Sequence, residues 1–129
     1  MIATTDDQSF WLSFYLDPNT ADLSWYRATE MYPLQLDTLN IGHGRVEGDQ
    51  LIPAWSLDAL IKQLPKKIEI NRVIYNLCIK WEDEMESVYY ISDDNKKYKF
   101  KNHKTSPNGI GLFDNIYQMA NMVHEEGLI

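Results

Sequence analysis

The chain has 129 residues, 44% of them apolar and 24% charged, with four Trp, eight Tyr and a net charge of −7 at neutral pH. That length predicts one domain over residues 1–129, large enough to bury a core without disulfide or metal staples. The acidic balance works against broad nucleic-acid binding, which needs cationic surface to neutralise phosphate, and the single Cys78 excludes an internal disulfide.

Thr5 with Gln8 three residues on has capping-box spacing, and predicts a helix over roughly 6–16. Phe10, Trp11, Phe14 and Tyr15 group on one of its faces, with Leu12 and Leu16 beside them. Asp17-Pro18-Asn19 breaks that helix and opens a short turn through Leu23. Residues 26–51 carry the weakest pattern. Leu34, Leu36 and Leu39 hint at a strand, and Gly42, Gly44 and Gly48 mark turns, together suggesting a hairpin.

The strongest local pattern runs from Ile52 to Pro65. Ser56 can cap a first helical turn, Trp55 and Leu60 stand at the positions of a hydrophobic staple, and Asp58 suits the helix dipole. Leu57, Leu60, Ile61 and Leu64 share one face, and Pro65 ends the helix, giving a core helix over 56–64. The period then changes to two. Tyr75, Leu77, Ile79 and Trp81 form the core-facing set of a strand, alternating with Asn76, Cys78, Lys80 and Glu82. Val88 to Ile91 is a second strand. After the turn Asp93-Asp94-Asn95, Tyr98 and Phe100 alternate with Lys97, Lys99 and Lys101 as a third. A final helix over 112–126 takes Leu112, Phe113, Ile116, Tyr117, Ala120 and Val123 as its buried face, with Met119 and Met122 widening the apolar surface and Gly127 as terminator.

No constellation of reacting groups emerges. His43, His103 and His124 are isolated, with no second His or Cys at metal spacing, so neither metal nor cofactor is expected. Gly42-His43-Gly44 lacks the lysine and the strand–loop–helix context of a phosphate loop. Nothing near Cys78 in sequence would activate its thiol. Glu82-Asp83-Glu84 with Glu86 lacks the alternating ligands and central glycine of a calcium loop, and reads as a solvated turn. The lysines of 96–104 are the one basic cluster. Their alternation with core-facing aromatics makes them a wet face, with cross-strand partners among the acids just upstream.

Three segments together resemble a family of small uncharacterised proteins encoded by phages, prophages and mobile elements of gut bacteria. They are Thr20-Ala21-Asp22-Leu23, the run Ile52-Pro53-Ala54-Trp55-Ser56-Leu57 with Leu60, Leu64 and Pro65, and a C-terminal helix with Asp114, Met119 and Gly127. The resemblance extends from about residue 17 onward, and the central run is its most specific part. The last helix departs from the family pattern, with Asn115, Asn121 and His124 where more acidic and Trp-rich residues are usual. The resemblance implies a phage-type context and brings no activity with it.

The expected fold is therefore α+β: an antiparallel β-meander of three to five strands packed against two or three helices in a single domain. The leading functional expectation is a non-enzymatic accessory protein that works by protein–protein contact, a homodimer being one form of it. Trp, Tyr and Met favour interfaces, and Trp11, Trp25, Tyr26, Met119 and Met122 are the candidate exposed contacts. A second reading is nucleic-acid association through Lys97, Lys99 and Lys101. A third is a small enzyme with a scattered site. No apolar run nears the ~20 residues that span a bilayer, and the opening residues lack a secretory signal, so a cytoplasmic location in the host bacterial cell is expected.

Overall fold

A computed structural model describes residues 3–27, 35–38, 50–82, 85–109 and 111–129. The chain divides into two compact units, residues 1–61 and 62–129. The α+β class expected from the sequence is what the structure shows, with the described strands in two antiparallel sheets of three.

In the first unit, helix α1 (Asp6–Leu12) opens on the expected capping box. The Thr5 hydroxyl accepts from the Gln8 N–H at 3.1 Å, and the Gln8 side chain accepts from the Thr5 N–H at 3.0 Å. The helix is shorter than expected: residues 13–15 continue as turns, and Pro18–Thr20 forms a 3₁₀ turn capped by Asp17. Its buried face is Ser9 and Leu12, with Leu16 following.

Strands β1 (Leu23–Arg27), β2 (Gln35–Thr38) and β3 (Gln50–Ala54) form the first sheet in the order β2-β1-β3. The central strand falls between the turn expected through Leu23 and the weakly patterned stretch from residue 26, because Leu-Ser-Trp-Tyr-Arg is too short to establish a period. Trp25 pairs with Leu36 on one side and Ile52 on the other. Pro53, which cannot donate to a ladder, sits in β3 at the sheet's edge, where a proline is tolerated. Leu34, Leu39, Gly42, His43, Gly44 and Gly48 lie outside the described residues.

Helix α2 (Leu57–Gln63) follows. Ser56 caps it as expected, its hydroxyl accepting from the Ala59 N–H at 3.3 Å, and the staple residues Trp55 and Leu60 are fully buried.

In the second unit, β4 (Lys67–Ile70), β5 (Val73–Glu82) and β6 (Met85–Ser92) form an antiparallel meander in chain order. β4 takes the place of the third strand expected at 97–101. The turn into β5 is Asn71-Arg72, both with positive φ (51° and 68°), the signature of a type I′ hairpin. The segment after β6 makes one isolated bridge, Lys97 to Ile91, and then curls back. The Phe100 N–H donates to the Lys104 carbonyl and the His103 N–H to the Phe100 carbonyl, with His103 in left-handed geometry. A chain turning so soon cannot extend a ladder. The inward placement of Tyr98 and Phe100 nonetheless holds: Phe100 is buried, and its ring meets those of Tyr90 and Tyr98 at 6.4 and 4.8 Å.

Helix α3 (Leu112–Glu125) lies against β6, tied by the Asn115 side-chain amide, which donates to the Glu86 carbonyl at 2.8 Å. It ends in a Schellman motif. Gly127, with φ 72°, donates to the His124 carbonyl, and Leu128 donates to the Val123 carbonyl, both at 2.9 Å.

Candidate protein-contact surface

The first unit is organised around Thr4. Its hydroxyl accepts from the Trp55 N–H at 3.1 Å and shares a 2.6 Å hydrogen bond with Ser9 Oγ. Its own N–H donates to the Trp55 carbonyl at 2.8 Å, and its carbonyl accepts from Trp25 Nε1 at 2.8 Å. Thr4, Ser9 and Trp55 are all fully buried, where a polar group without a partner is costly. Trp55 Nε1 in turn donates to Thr20 Oγ1 at 3.0 Å, and the Asp22 carboxylate accepts from both the N–H and the hydroxyl of Ser56, at 2.8 and 2.5 Å.

Leu12 and Ser9 face inward on α1, so the residues between them face out. Phe10, Trp11 and Phe14 are 50, 60 and 67% exposed. They touch one another, with ring centroids 5.1 Å apart for Phe10–Phe14, 5.7 Å for Trp11–Phe14 and 5.9 Å for Phe10–Trp11. Contact of this kind, edge-to-face in the two pairs that involve Phe10 and tilted in Trp11–Phe14, gives the group a preferred shape, although water reaches it. Asp6 and Asp7, exposed in the first turn, flank it on one side. Trp11 is thus exposed as the sequence reading required. Phe10 and Phe14 were not among the candidate contacts, although their spacing on the helix was visible.

The other candidate contacts fare differently. Trp25 is half-buried, its indole N–H engaged by Thr4. Tyr26 lies in β1, with its side chain outside the described residues. Met119 and Met122 are corrected: they are buried, at 0 and 7% exposure. The stripe that α3 buries is Asn115, Ile116, Met119, Ala120, Met122 and Val123, so the methionines are its centre, while Leu112, Phe113 and Tyr117 lie half-buried on its flank. Trp81, expected to face the core, is 64% exposed and pairs with Glu86 near the end of the β5–β6 hairpin.

Among the lysines, Lys97 holds its ammonium 4.2 Å above the ring of buried Tyr89. Lys99 and Lys101 are exposed. Lys101 shares a depression of about 310 Å³ with Phe100, Asn102, Met122, Glu125 and Glu126. The Tyr98 hydroxyl donates to Glu126 Oε1 at 2.6 Å, and burial, this hydrogen bond and the neighbouring charges of Glu126 and Tyr75 push the phenol up to about 12. Burial pushes the Tyr90 phenol up as well, its hydroxyl donating to the Pro65 carbonyl at 2.7 Å. The side chains of the run Glu82-Asp83-Glu84 lie outside the described residues.

Among the described residues, no three His, Cys, Asp or Glu side chains converge as a metal-ion site, and no helix is long and apolar enough to cross a membrane. Comparison of the chain with family models, with curated proteins and with solved structures returns no match.

Proposed function

We propose that the chain is a non-enzymatic accessory protein that works by binding another protein through the aromatic face of α1. The observation that carries this reading is the group Phe10, Trp11 and Phe14, each at least half exposed and in ring contact with the others. Single exposed apolar residues are ordinary, whereas a contiguous aromatic group on a folded surface marks an interaction site. Covering roughly 100 Å² on each of three rings releases about 7 kcal/mol of gross hydrophobic free energy, before the costs of association are set against it. Aromatic anchors of this type carry most of the energy of protein interfaces.

The phage-type context and a location in the host bacterial cytoplasm belong to the same proposal, and their support is the resemblance carried by Thr20–Leu23, the run Ile52–Leu57 with Leu60, Leu64 and Pro65, and the C-terminal helix with Asp114, Met119 and Gly127. A nucleic-acid role is the weaker reading. Lys97 covers an aromatic ring, and Lys101 shares its depression with Glu125 and Glu126, so these lysines do not form an open face free of carboxylates.

Light scattering on the purified chain, followed by pull-down from host lysate, tests the reading, with Trp11→Ala as the control. A dimer or a retained protein that disappears in Trp11→Ala supports it. A strict monomer that retains nothing beyond what Trp11→Ala retains refutes it.

A further inference from the structure

We infer that the aromatic face of α1 takes a protein segment presenting an apolar anchor between lysine or arginine residues, and that it does not take a second copy of this chain. This inference deepens the protein-contact reading and rests on it. Charge carries the argument. Asp6 and Asp7 stand one helical turn before Phe10 and Trp11, so each carboxylate lies beside an exposed ring. Asp17 is exposed just beyond Phe14. No Lys, Arg or His occurs between Met1 and Tyr26. Carboxylates therefore stand on both sides of the patch along the chain, Asp17 as the cap of the 3₁₀ turn, and that stretch supplies no cation to neutralise them.

That pattern decides between occupants. A two-fold dimer apposes the same patch on both copies. With carboxylates on both sides, parallel and antiparallel arrangements alike set carboxylate against carboxylate as water is expelled, and like-charge juxtaposition opposes association. An anionic lipid surface meets the same repulsion. A segment with cationic flanks reverses the sign: its Lys or Arg side chains meet Asp6, Asp7 and Asp17, and a guanidinium can lie over an exposed ring. Attraction of this kind steers encounter and sets orientation, while the aromatic group supplies the affinity.

The test is a peptide-display selection on the immobilised full chain, with counter-selection on Trp11→Ala and affinities read by fluorescence polarisation. The expected peptides carry an aromatic or aliphatic residue flanked by Lys or Arg. They bind Trp11→Ala at least about thirtyfold more weakly, bind the Asp6→Asn, Asp7→Asn, Asp17→Asn triple variant several-fold more weakly, and lose affinity as salt is raised. Phe14→Ala, outside the helix, serves as a second variant, and circular dichroism confirms that each variant is folded. Peptides that need Trp11 but are neutral or acidic overturn the inference and leave the protein-contact reading standing. Self-association abolished by Trp11→Ala does the same. Trp11-dependent sedimentation with phosphatidylserine vesicles, or failure to select any Trp11-dependent peptide, overturns both.

Discussion

Thr4→Val is the most exacting test of how the first unit is held together. Valine keeps the shape of threonine and replaces the hydroxyl with a methyl group. It removes the acceptor of the Trp55 N–H and the partner of Ser9 Oγ, both fully buried. Ser9 keeps a long hydrogen bond to the Thr4 carbonyl at 3.4 Å, so its loss is partial. The Trp55 N–H has no such recourse, and a stranded buried donor costs about 1–3 kcal/mol. With about 1 kcal/mol for the weakened Ser9 bond, less a small gain from the added methyl, the expected destabilisation is about 2–3 kcal/mol. For 129 residues the unfolding entropy is about 0.27 kcal/mol/K, so the thermal midpoint falls by about 9 °C. Thr4→Ser is the control: it keeps the hydroxyl, loses one methyl group, and costs about 1 kcal/mol. Urea and thermal unfolding followed by tryptophan fluorescence and circular dichroism read both variants. If Thr4→Val is no worse than Thr4→Ser, the hydroxyl is not what holds Trp55, and the reasoning fails.

Met119→Ala should cost about 2–5 kcal/mol as a core truncation, whereas Trp11→Ala should change stability by less than about 0.5 kcal/mol; denaturant midpoints for the pair decide which residue is core and which is surface. Gly127→Ala should cost about 1 kcal/mol, because alanine is strained at φ 72°, and should speed amide exchange in the last turn of α3. Tyr98 has a folded-state pKa of about 12 against an ordinary value of 10, so the unfolded chain ionises first as pH rises. The stability that this phenol contributes is complete below its unfolded pKa and is lost as pH climbs from 10 through about 12. Unfolding midpoints taken across that range should fall less steeply in Tyr98→Phe, and identical slopes would count against the assignment.

The parts of the fold that were legible in the sequence are those where a local rule acts alone. Thr5 with Gln8, Ser56 with its staple, and Gly127 each announce a helix end through a cap that involves only near neighbours. Strands were harder. β4 escaped notice because Lys-Ile-Glu-Ile is four residues long and its turn, Asn71-Arg72, adopts a type I′ conformation without the glycine that usually advertises it. The alternation of Tyr98 and Phe100 was real as a burial pattern, yet pairing depends on where the chain goes next, and the turn at His103 takes it away. Met119 and Met122 were placed on the surface because the buried face of α3 was read as Leu112, Phe113, Ile116, Tyr117, Ala120 and Val123, with the methionines beyond its edge. A helix with this many apolar residues does not itself say which arc is covered. Trp11 was legible as exposed only in company with Leu12: one side chain of that adjacent pair turns in, and the other turns out.

The buried polar network and the exposed aromatic face belong to one construction. Thr4 immediately precedes Thr5, the N-cap of α1, so the bonds from Trp25 and Trp55 to Thr4 fix the point where that helix starts. The Ser9 hydroxyl, bonded to Thr4 from inside the helix, fixes its rotation about its own axis. With start and rotation both set, Leu12 turns into the core, and Phe10 and Trp11 have no inward position to take. Trp55 is held from its other end by Thr20, while Asp22 holds Ser56. Thr20, Asp22, Trp55 and Ser56 belong to two of the three segments that carry the proposed resemblance, and their hydrogen bonds join them to each other and to the base of α1. A chain that retained Thr4, Ser9, Thr20, Asp22, Trp25, Trp55 and Ser56 would keep this base whatever side chains stood on the outer face of the helix. The proposed partner could therefore change by substitution at Phe10, Trp11 and Phe14 while the platform stayed the same.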